Sequence, residues 1–152
     1  QDGAAGGLGL GASTRLSMLA QVAEKFFRLG QAAEAERILR PALWDFLQRC
    51  EVERRPVDGQ VELAGRLALR LAEVTRTAAW IDYVFRLFTG VNRPLSSDSI
   101  EALHELMRRI PGVNHSGFAR YLIALRACRH EFSPGDHFLY RRIESLEALL
   151  AP

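Results

Sequence analysis

Apolar side chains recur three and four residues apart in nearly every stretch of the sequence after Ser13. This spacing places apolar side chains on one face of an α-helix, whereas a half-buried strand alternates every second residue. No convincing alternating stretch is present in the sequence. Polar and glycine- or proline-containing breaks divide the periodic part into about seven helices, so the predicted fold class is all-α.

The first two periodic stretches meet at Gly30, which permits the left-handed conformation that ends a helix and reverses the chain. Pro41 lies inside the second stretch, where it removes a helical hydrogen bond at a cost of about 3 kcal/mol if nothing compensates. We expect a kink at Pro41, and the alternative is a helix that ends near Leu39 and restarts at the proline. The inward positions predicted for these two helices are Leu16, Leu19, Ala20, Ala23, Phe26 and Phe27, then Ala35, Ile38, Leu39, Ala42, Leu43 and Phe46.

The later helices follow from the same spacing and from their end signals. Residues 51–59 predict a loop in which Asp58 caps the third helix, and Gly90 ends a fourth helix that begins at about Ala78. Asp98 and Glu101 are expected to form a capping box for the fifth helix, and Ser133 to cap the seventh. The predicted inward residues are Val61, Ala64, Leu67, Ala68 and Leu71; Trp80, Tyr83, Val84 and Leu87; Phe118, Ala119, Leu122, Ile123 and Leu125; and Leu139, Ile143, Leu146 and Leu150.

The first thirteen residues differ in composition from the rest of the chain. They hold five of the twelve glycines and no basic residue, which is typical of a flexible tether. We therefore expect a linker over residues 1–13 and a helical domain over residues 14–152. We expect either that an upstream module precedes this segment or that the segment is itself a remnant of an expression tag.

Residues 16–49 carry a pattern of large, small and turn residues at fixed positions. The positions are Leu19, Val22, Ala23, Phe26, Gly30, Ala35, Leu39 and Ala42. This order resembles the tetratricopeptide repeat, a helix-turn-helix unit of about 34 residues. Small side chains at Ala23 and Ala35 let two helix backbones approach, while larger neighbours fill the space beside them.

Two weaker copies of the pattern follow in the sequence. They comprise Ala64, Leu67, Ala68, Leu71, Thr75, Trp80, Val84 and Leu87, then Leu103, Leu106, Met107, Ile110, Asn114, Ala119 and Ile123. Their turn positions, Thr75 and Asn114, are not glycines, and Trp80 is large where the family has a small residue. The resemblance implies a tetratricopeptide-like α-α superhelix of three antiparallel helix pairs with the last helix capping the end.

The resemblance also implies a concave binding surface lined by the first helix of each pair. The residues it places there are Ala20, Glu24, Phe27 and Arg28; Gly65, Leu69, Ala72 and Glu73; and His104, Arg108 and Pro111. Family members that grip a peptide's terminal carboxylate use lysine and asparagine where this chain has Ala20 and Glu24, so that mode is not expected. Glu24 beside Arg28 and an exposed Phe27 would suit an amphipathic helix or peptide, and the alternative is a surface ion pair worth a few tenths of a kcal/mol.

Candidate catalytic and metal-binding residues are isolated in the sequence. Glu101 and His104 have the spacing of half a di-iron site, but no second Glu-x-x-His is present. Cys128 and His130 are two residues apart on a predicted helix, so their side chains diverge. We therefore expect no metal, no cofactor and no enzymatic activity.

Charge and cysteine content narrow the range of partners. The net charge of +2 disfavours nucleic acid, and no run approaches the roughly 18 apolar residues that predict membrane insertion. Cys50 and Cys128 are expected to be buried free thiols, which favours the cytoplasm. The predicted function is an adaptor within a larger multidomain protein that binds another protein's helix or peptide. The alternative is a module like the small bacterial type III secretion chaperones, or a self-assembling homodimer.

Overall fold

The computed structural model describes residues 4–53 and 60–150, and this part of the chain contains helices and no strands. The seven α-helices are α1 (Ala4–Arg28), α2 (Ala32–Glu53), α3 (Gln60–Thr75), α4 (Ala78–Thr89), α5 (Ser97–Arg109), α6 (His115–Ala127) and α7 (Pro134–Ser145). Two short 3₁₀ segments follow α6 and α7, over Arg129–Glu131 and Leu146–Leu150. The all-α prediction is confirmed for these ranges, while the predicted cap at Asp58 lies outside them.

Helix α1 begins earlier than the sequence predicted. Residues 4–13, for which the glycine content predicted a flexible tether, are the first turns of the helix. Alanine and leucine between the glycines are strong helix formers, and a helix already nucleated adds one hydrogen bond for each further residue. The backbone therefore shows no break at Ser13, and a division of the chain there stays a prediction.

The turn at Gly30 joins α1 to α2 as the sequence predicted. Gly30 has a φ of +73°, and the amide of Gln31 donates to the Phe26 carbonyl at 2.8 Å while the amide of Gly30 donates to that of Phe27 at 3.1 Å. These two bonds satisfy carbonyls that the end of α1 would otherwise leave unpaired. Ala23 and Ala35 are both fully buried where the two helices pack. The antiparallel pair at the start of the chain is therefore confirmed.

Helix α2 continues through Pro41 without interruption. Pro41 is exposed, so water can reach the carbonyl of Arg37, which receives no helical hydrogen bond from the proline. The alternative of a helix ending near Leu39 is therefore wrong. At its other end, α2 runs to Glu53, into the stretch that was predicted to be a loop.

The second and third turns place their left-handed residue at positions other than those predicted. Arg76 has a φ of +56° and Gly112 a φ of +94°, whereas Thr75 is the last residue of α3 and Asn114 caps α6. The third turn thus contains a glycine two residues before the predicted turn position. Each of the three connections still contains one residue in the left-handed conformation. In the second connection this residue is Arg76, whose side chain makes the conformation sterically unfavourable.

Packing of the helices repeats for two pairs and then changes. Helices α1 and α2 form one pair and α3 and α4 the next, with α3 also packed against α1, α2 and α5. Helix α6 packs chiefly against α4 instead of α5, so the third pair does not reproduce the first two. Helix α7 and the 3₁₀ segment after it pack against α5. No helix in the described ranges has both the length and the apolar character needed to cross a membrane.

The core matches the predicted faces of α3 and α4, matches that of α2 except for the half-buried Ile38, and departs from the prediction in α6. In α6 the buried stripe is Phe118, Tyr121, Leu122 and Leu125, while Ala119 and Ile123 are exposed. Tyr121 can be fully buried because its hydroxyl accepts a hydrogen bond from the amide of Leu95 at 2.9 Å. The prediction that Ala119 and Ile123 face inward is wrong.

One predicted helix cap is confirmed and another is wrong. Ser133 and Asp136 form a reciprocal capping box that opens α7. At α5 the cap is Ser96, whose hydroxyl accepts from the amide of Ser99 at 3.2 Å, so Asp98 lies within the first turn instead of capping it. An acidic residue in a first turn is stabilised by the helix dipole without being the cap.

Candidate functional site

A groove of about 820 Å³ lies between α1, α3 and α5. Helix α3 forms its centre, because both α1 and α5 pack against it. The lining residues are Ala20, Glu24 and Phe27 of α1; Glu62, Leu63, Arg66, Leu67, Leu69, Arg70 and Glu73 of α3; and Ser96, Asp98, Ser99, Glu101, Ala102, Glu105, Leu106 and Arg109 at α5. The groove therefore crosses the first helices of successive pairs, the elements that the sequence predicted would line a binding surface.

The floor of the groove is apolar and reachable from solvent. Ala20, Phe27, Leu63 and Ala102 are half-buried, so part of each side chain remains available to a ligand. Leucines beneath them belong to the core: Leu67, Leu69 and Leu106. An apolar floor on a packed core is a surface on which apolar side chains of a partner can be desolvated.

Arg70 connects α1 to α3 at one side of the groove. Its guanidinium donates to the two carboxylate oxygens of Glu24 at 3.1 and 3.5 Å, and its Cζ atom lies 4.5 Å from the centroid of the Phe27 ring. Phe27 is therefore half-covered, and the expectation of an exposed phenylalanine is corrected. Glu24 also lies 3.5 Å from Arg28, so the predicted surface ion pair is present beside the contact with Arg70.

Five of the eight principal residues predicted for the binding surface line this groove. They are Ala20, Glu24, Phe27, Leu69 and Glu73. Arg28 lies outside it on the exposed surface of α1, and His104 and Arg108 lie outside it on α5. The structure therefore brings together the five predicted residues of α1 and α3, and leaves Arg28 and the predicted α5 residues outside the groove.

Two further residues predicted to face the groove from α3 are buried on its other side. Ala72 is fully buried, and a side chain added at Gly65 would lie 3.0 Å from the ring of Phe88 in α4. Glycine at this position lets the phenylalanine ring approach the α3 backbone closely. The prediction that Gly65 and Ala72 face the groove is wrong, and the groove-facing stripe of α3 includes Leu63, Arg66 and Arg70 instead.

The side of α5 that faces the groove differs from the predicted side. Neighbouring residues of an α-helix point about 100° apart, so a shift of one position moves a side chain to a different face. Glu101, Ala102 and Glu105 face the groove, whereas Arg108 and Pro111 line a separate cavity beside the end of the chain's last 3₁₀ segment. His104, Arg108 and Pro111 therefore do not line this groove, and their contact with a partner stays a prediction.

A layer of aromatic rings between α2 and α4 is structural. Trp80 and Tyr83 are buried, as predicted, and pack with Trp44 at centroid distances of 6.3 and 5.4 Å. The indole of Trp80 donates to Glu36 at 2.7 Å, and the Tyr83 hydroxyl donates to the Leu43 carbonyl at 2.6 Å. The polar ends of the two buried rings, Trp80 and Tyr83, thus have partners, which removes the cost of burying them without a hydrogen bond.

Metal-ligating side chains are dispersed over the part of the chain that the structure describes. Within residues 4–53 and 60–150, no three His, Cys, Asp or Glu side chains converge in a way that could hold a metal ion. Cys128 is buried with its thiol donating to the Leu125 carbonyl at 3.4 Å, and burial raises the pKa of that thiol. His130 is exposed and lies 3.3 Å from Glu131. Both cysteines are free thiols, with Cys50 half-buried.

Comparison with protein-family models gave no match for this chain, and comparisons with curated proteins and with solved structures also gave none. The geometry of the groove is consequently the main guide to function. Fold alone would be a weak guide to function, because one architecture serves many activities.

Proposed function

We propose that this chain is a non-catalytic, tetratricopeptide-like module that binds a short amphipathic helix or peptide of another protein in the groove between α1, α3 and α5. The observation that carries the proposal is the apolar floor formed by Ala20, Phe27, Leu63 and Ala102, which stays accessible although the rest of each helix face is packed. Accessible apolar grooves between helices are the usual docking sites for amphipathic helices.

The size of the groove supports a short ligand segment. A volume of about 820 Å³ is within the range of sites that enclose small molecules or a few side chains, and it is too small for a folded domain. Repetition of the first helix pair by α3 and α4 supports a scaffold whose first helices present one continuous surface. We propose that the module acts as an adaptor in the cytoplasm, as part of a larger protein.

A displayed library of helical peptides tests the proposal. Peptides of about 15 residues would carry leucine at positions i, i+3, i+4 and i+7, with lysine, glutamine or glutamate varied at random elsewhere. The wild-type chain is expected to select binders. Replacing both Ala20 and Ala102 with glutamine is expected to weaken their binding by about tenfold, because polar side chains then cover the floor. Fluorescence anisotropy measures the affinities.

The matched control is Ala33→Gln, at an exposed position of α2 away from the groove. It makes the same chemical change and is expected to leave binding unaltered, and circular dichroism confirms that each variant is folded. Failure to select any peptide, or equal binding by the Ala20→Gln/Ala102→Gln variant and the wild type, would refute the proposed function.

A second candidate function, self-association, is favoured by the outer face of α1. Met18 and Val22, about one turn apart on α1, are 59% and 42% exposed, and Leu29, just after the end of α1, is 70% exposed. Exposed apolar stripes of this kind often mark protein interfaces. If the stripe joins two copies, light scattering will show a wild-type dimer that Val22→Glu converts to a monomer. A wild-type monomer at all accessible concentrations would exclude this candidate.

A further inference from the structure

The groove between α1, α3 and α5 has a formal charge opposite in sign to that of the whole chain. Its lining contains six carboxylates and three guanidinium groups, in a chain whose net charge is +2. The carboxylates are those of Glu24, Glu62, Glu73, Asp98, Glu101 and Glu105, and the guanidinium groups are those of Arg66, Arg70 and Arg109. A concave site lined by one excess charge focuses the electrostatic potential and attracts ligands of the opposite sign.

Two of the three arginines are already engaged by groups of the chain itself. Arg70 is held by the carboxylate of Glu24 and lies over the Phe27 ring. The Nε of Arg109 donates to the backbone carbonyl of Glu105 at 3.4 Å. Arg66 is therefore the lining guanidinium with the greatest freedom to meet a ligand, since it forms no ion pair within the described ranges.

The carboxylates divide into those with a partner and those without one. Glu62 pairs with Arg93 at 2.7 Å, and Glu105 pairs with Arg108 at 3.3 Å, both of these arginines lying outside the lining. Three exposed carboxylates in the lining form no ion pair in the part of the chain that the structure describes: Glu73, Asp98 and Glu101. They lie on α3 and α5, beside the apolar floor.

We propose, building on the proposed function, that the groove selects a cationic amphipathic segment of another protein. Apolar side chains of the segment contact Phe27, Leu63 and Ala102, and its lysine or arginine side chains face Glu73, Asp98 and Glu101. Like charges brought together in an interface cost binding free energy, so an acidic segment with the same apolar positions is disfavoured. The charge of the groove sets the partner's chemistry, and the floor supplies the buried contact.

Three versions of one selected peptide test the charge preference. The apolar positions stay constant, and the flanking positions are all lysine, all glutamine or all glutamate. The lysine version is expected to bind about tenfold more tightly than the glutamine version and to lose this advantage as salt rises, with the glutamate version weakest. Glu73→Gln combined with Glu101→Gln is expected to reduce the preference for lysine severalfold.

Glu147→Gln is the control, because Glu147 is exposed on the last 3₁₀ segment, outside the groove. It removes one negative charge from the chain and is expected to leave the ranking of the three peptides unchanged. Equal affinity of the three versions, or tightest binding by the glutamate version, would overturn the charge preference and leave peptide binding intact. Binding of no version would overturn the proposed function and this inference with it.

Discussion

Replacing Phe85 with alanine is expected to lower the free energy of unfolding by about 3–5 kcal/mol, the range typical of buried phenylalanines. Phe85 is fully buried in α4, and its ring lies 5.1 Å from that of Phe118 and 5.9 Å from that of Tyr121. The substitution leaves a cavity where α4 packs against α6, which is the main contact of α6. Urea denaturation followed by circular dichroism measures the change.

Phe138→Ala is the matched control for this prediction. Phe138 lies on α7 and is 57% exposed, so the same truncation is expected to cost only about 0.5 kcal/mol. Losses of similar size in the two variants would show that Phe85 is not in a packed core. A large loss confined to Phe85→Ala is the expected result for a ring packed in the core between α4 and α6.

The parts of the fold that the sequence predicted correctly depend on local chemistry. Gly30 ends α1 because few other residues adopt its backbone conformation without strain, and the small residues Ala23 and Ala35 mark where two helices touch. In α3 and α4 the apolar stripes are broad, so an error of one position in phase leaves most inward residues unchanged. Local patterns of this kind need no knowledge of the neighbours.

The parts that were missed depend on contacts between distant segments. Arg70 is 46 residues from Glu24, and nothing in either local pattern predicts that they meet across the groove. The face that α5 presents is set by α3 and by the last 3₁₀ segment, which decide that Glu101 and Glu105 line the groove while His104 does not. In α6, burial of Tyr121 requires the amide of Leu95 as a hydrogen-bond donor, a partner that is 26 residues away.

Alkaline solution is expected to unfold the protein through its buried tyrosines. Burial, as the largest cause, raises the pKa of both Tyr83 and Tyr121 well above the ordinary value of about 10. A folded-state pKa raised in this way gives stability that is fully present below the unfolded-state pKa and is lost as the pH rises above it. Each tyrosine then lowers the free energy of unfolding by about 1.4 kcal/mol for every pH unit above about 10. The two tyrosines together lower it by about twice that amount.

Urea denaturation at a series of pH values, with tyrosinate absorbance as a second readout, measures this dependence. Above pH 10 the free energy of unfolding falls as the pH rises. In the variant that combines Tyr83→Phe with Tyr121→Phe, this fall is expected to be shallower by about 2.8 kcal/mol per pH unit. The variant also loses stability at neutral pH, because the hydroxyls bond the Leu43 carbonyl and the Leu95 amide, so the comparison uses the slope against pH. The thiols of Cys50 and Cys128, whose pKa values burial also raises, contribute a decline that starts at lower pH and is shared by both proteins. The same slope above pH 10 in both proteins would mean that these hydroxyls ionise as readily in the folded chain as in water, which is incompatible with their burial between α2, α4 and α6.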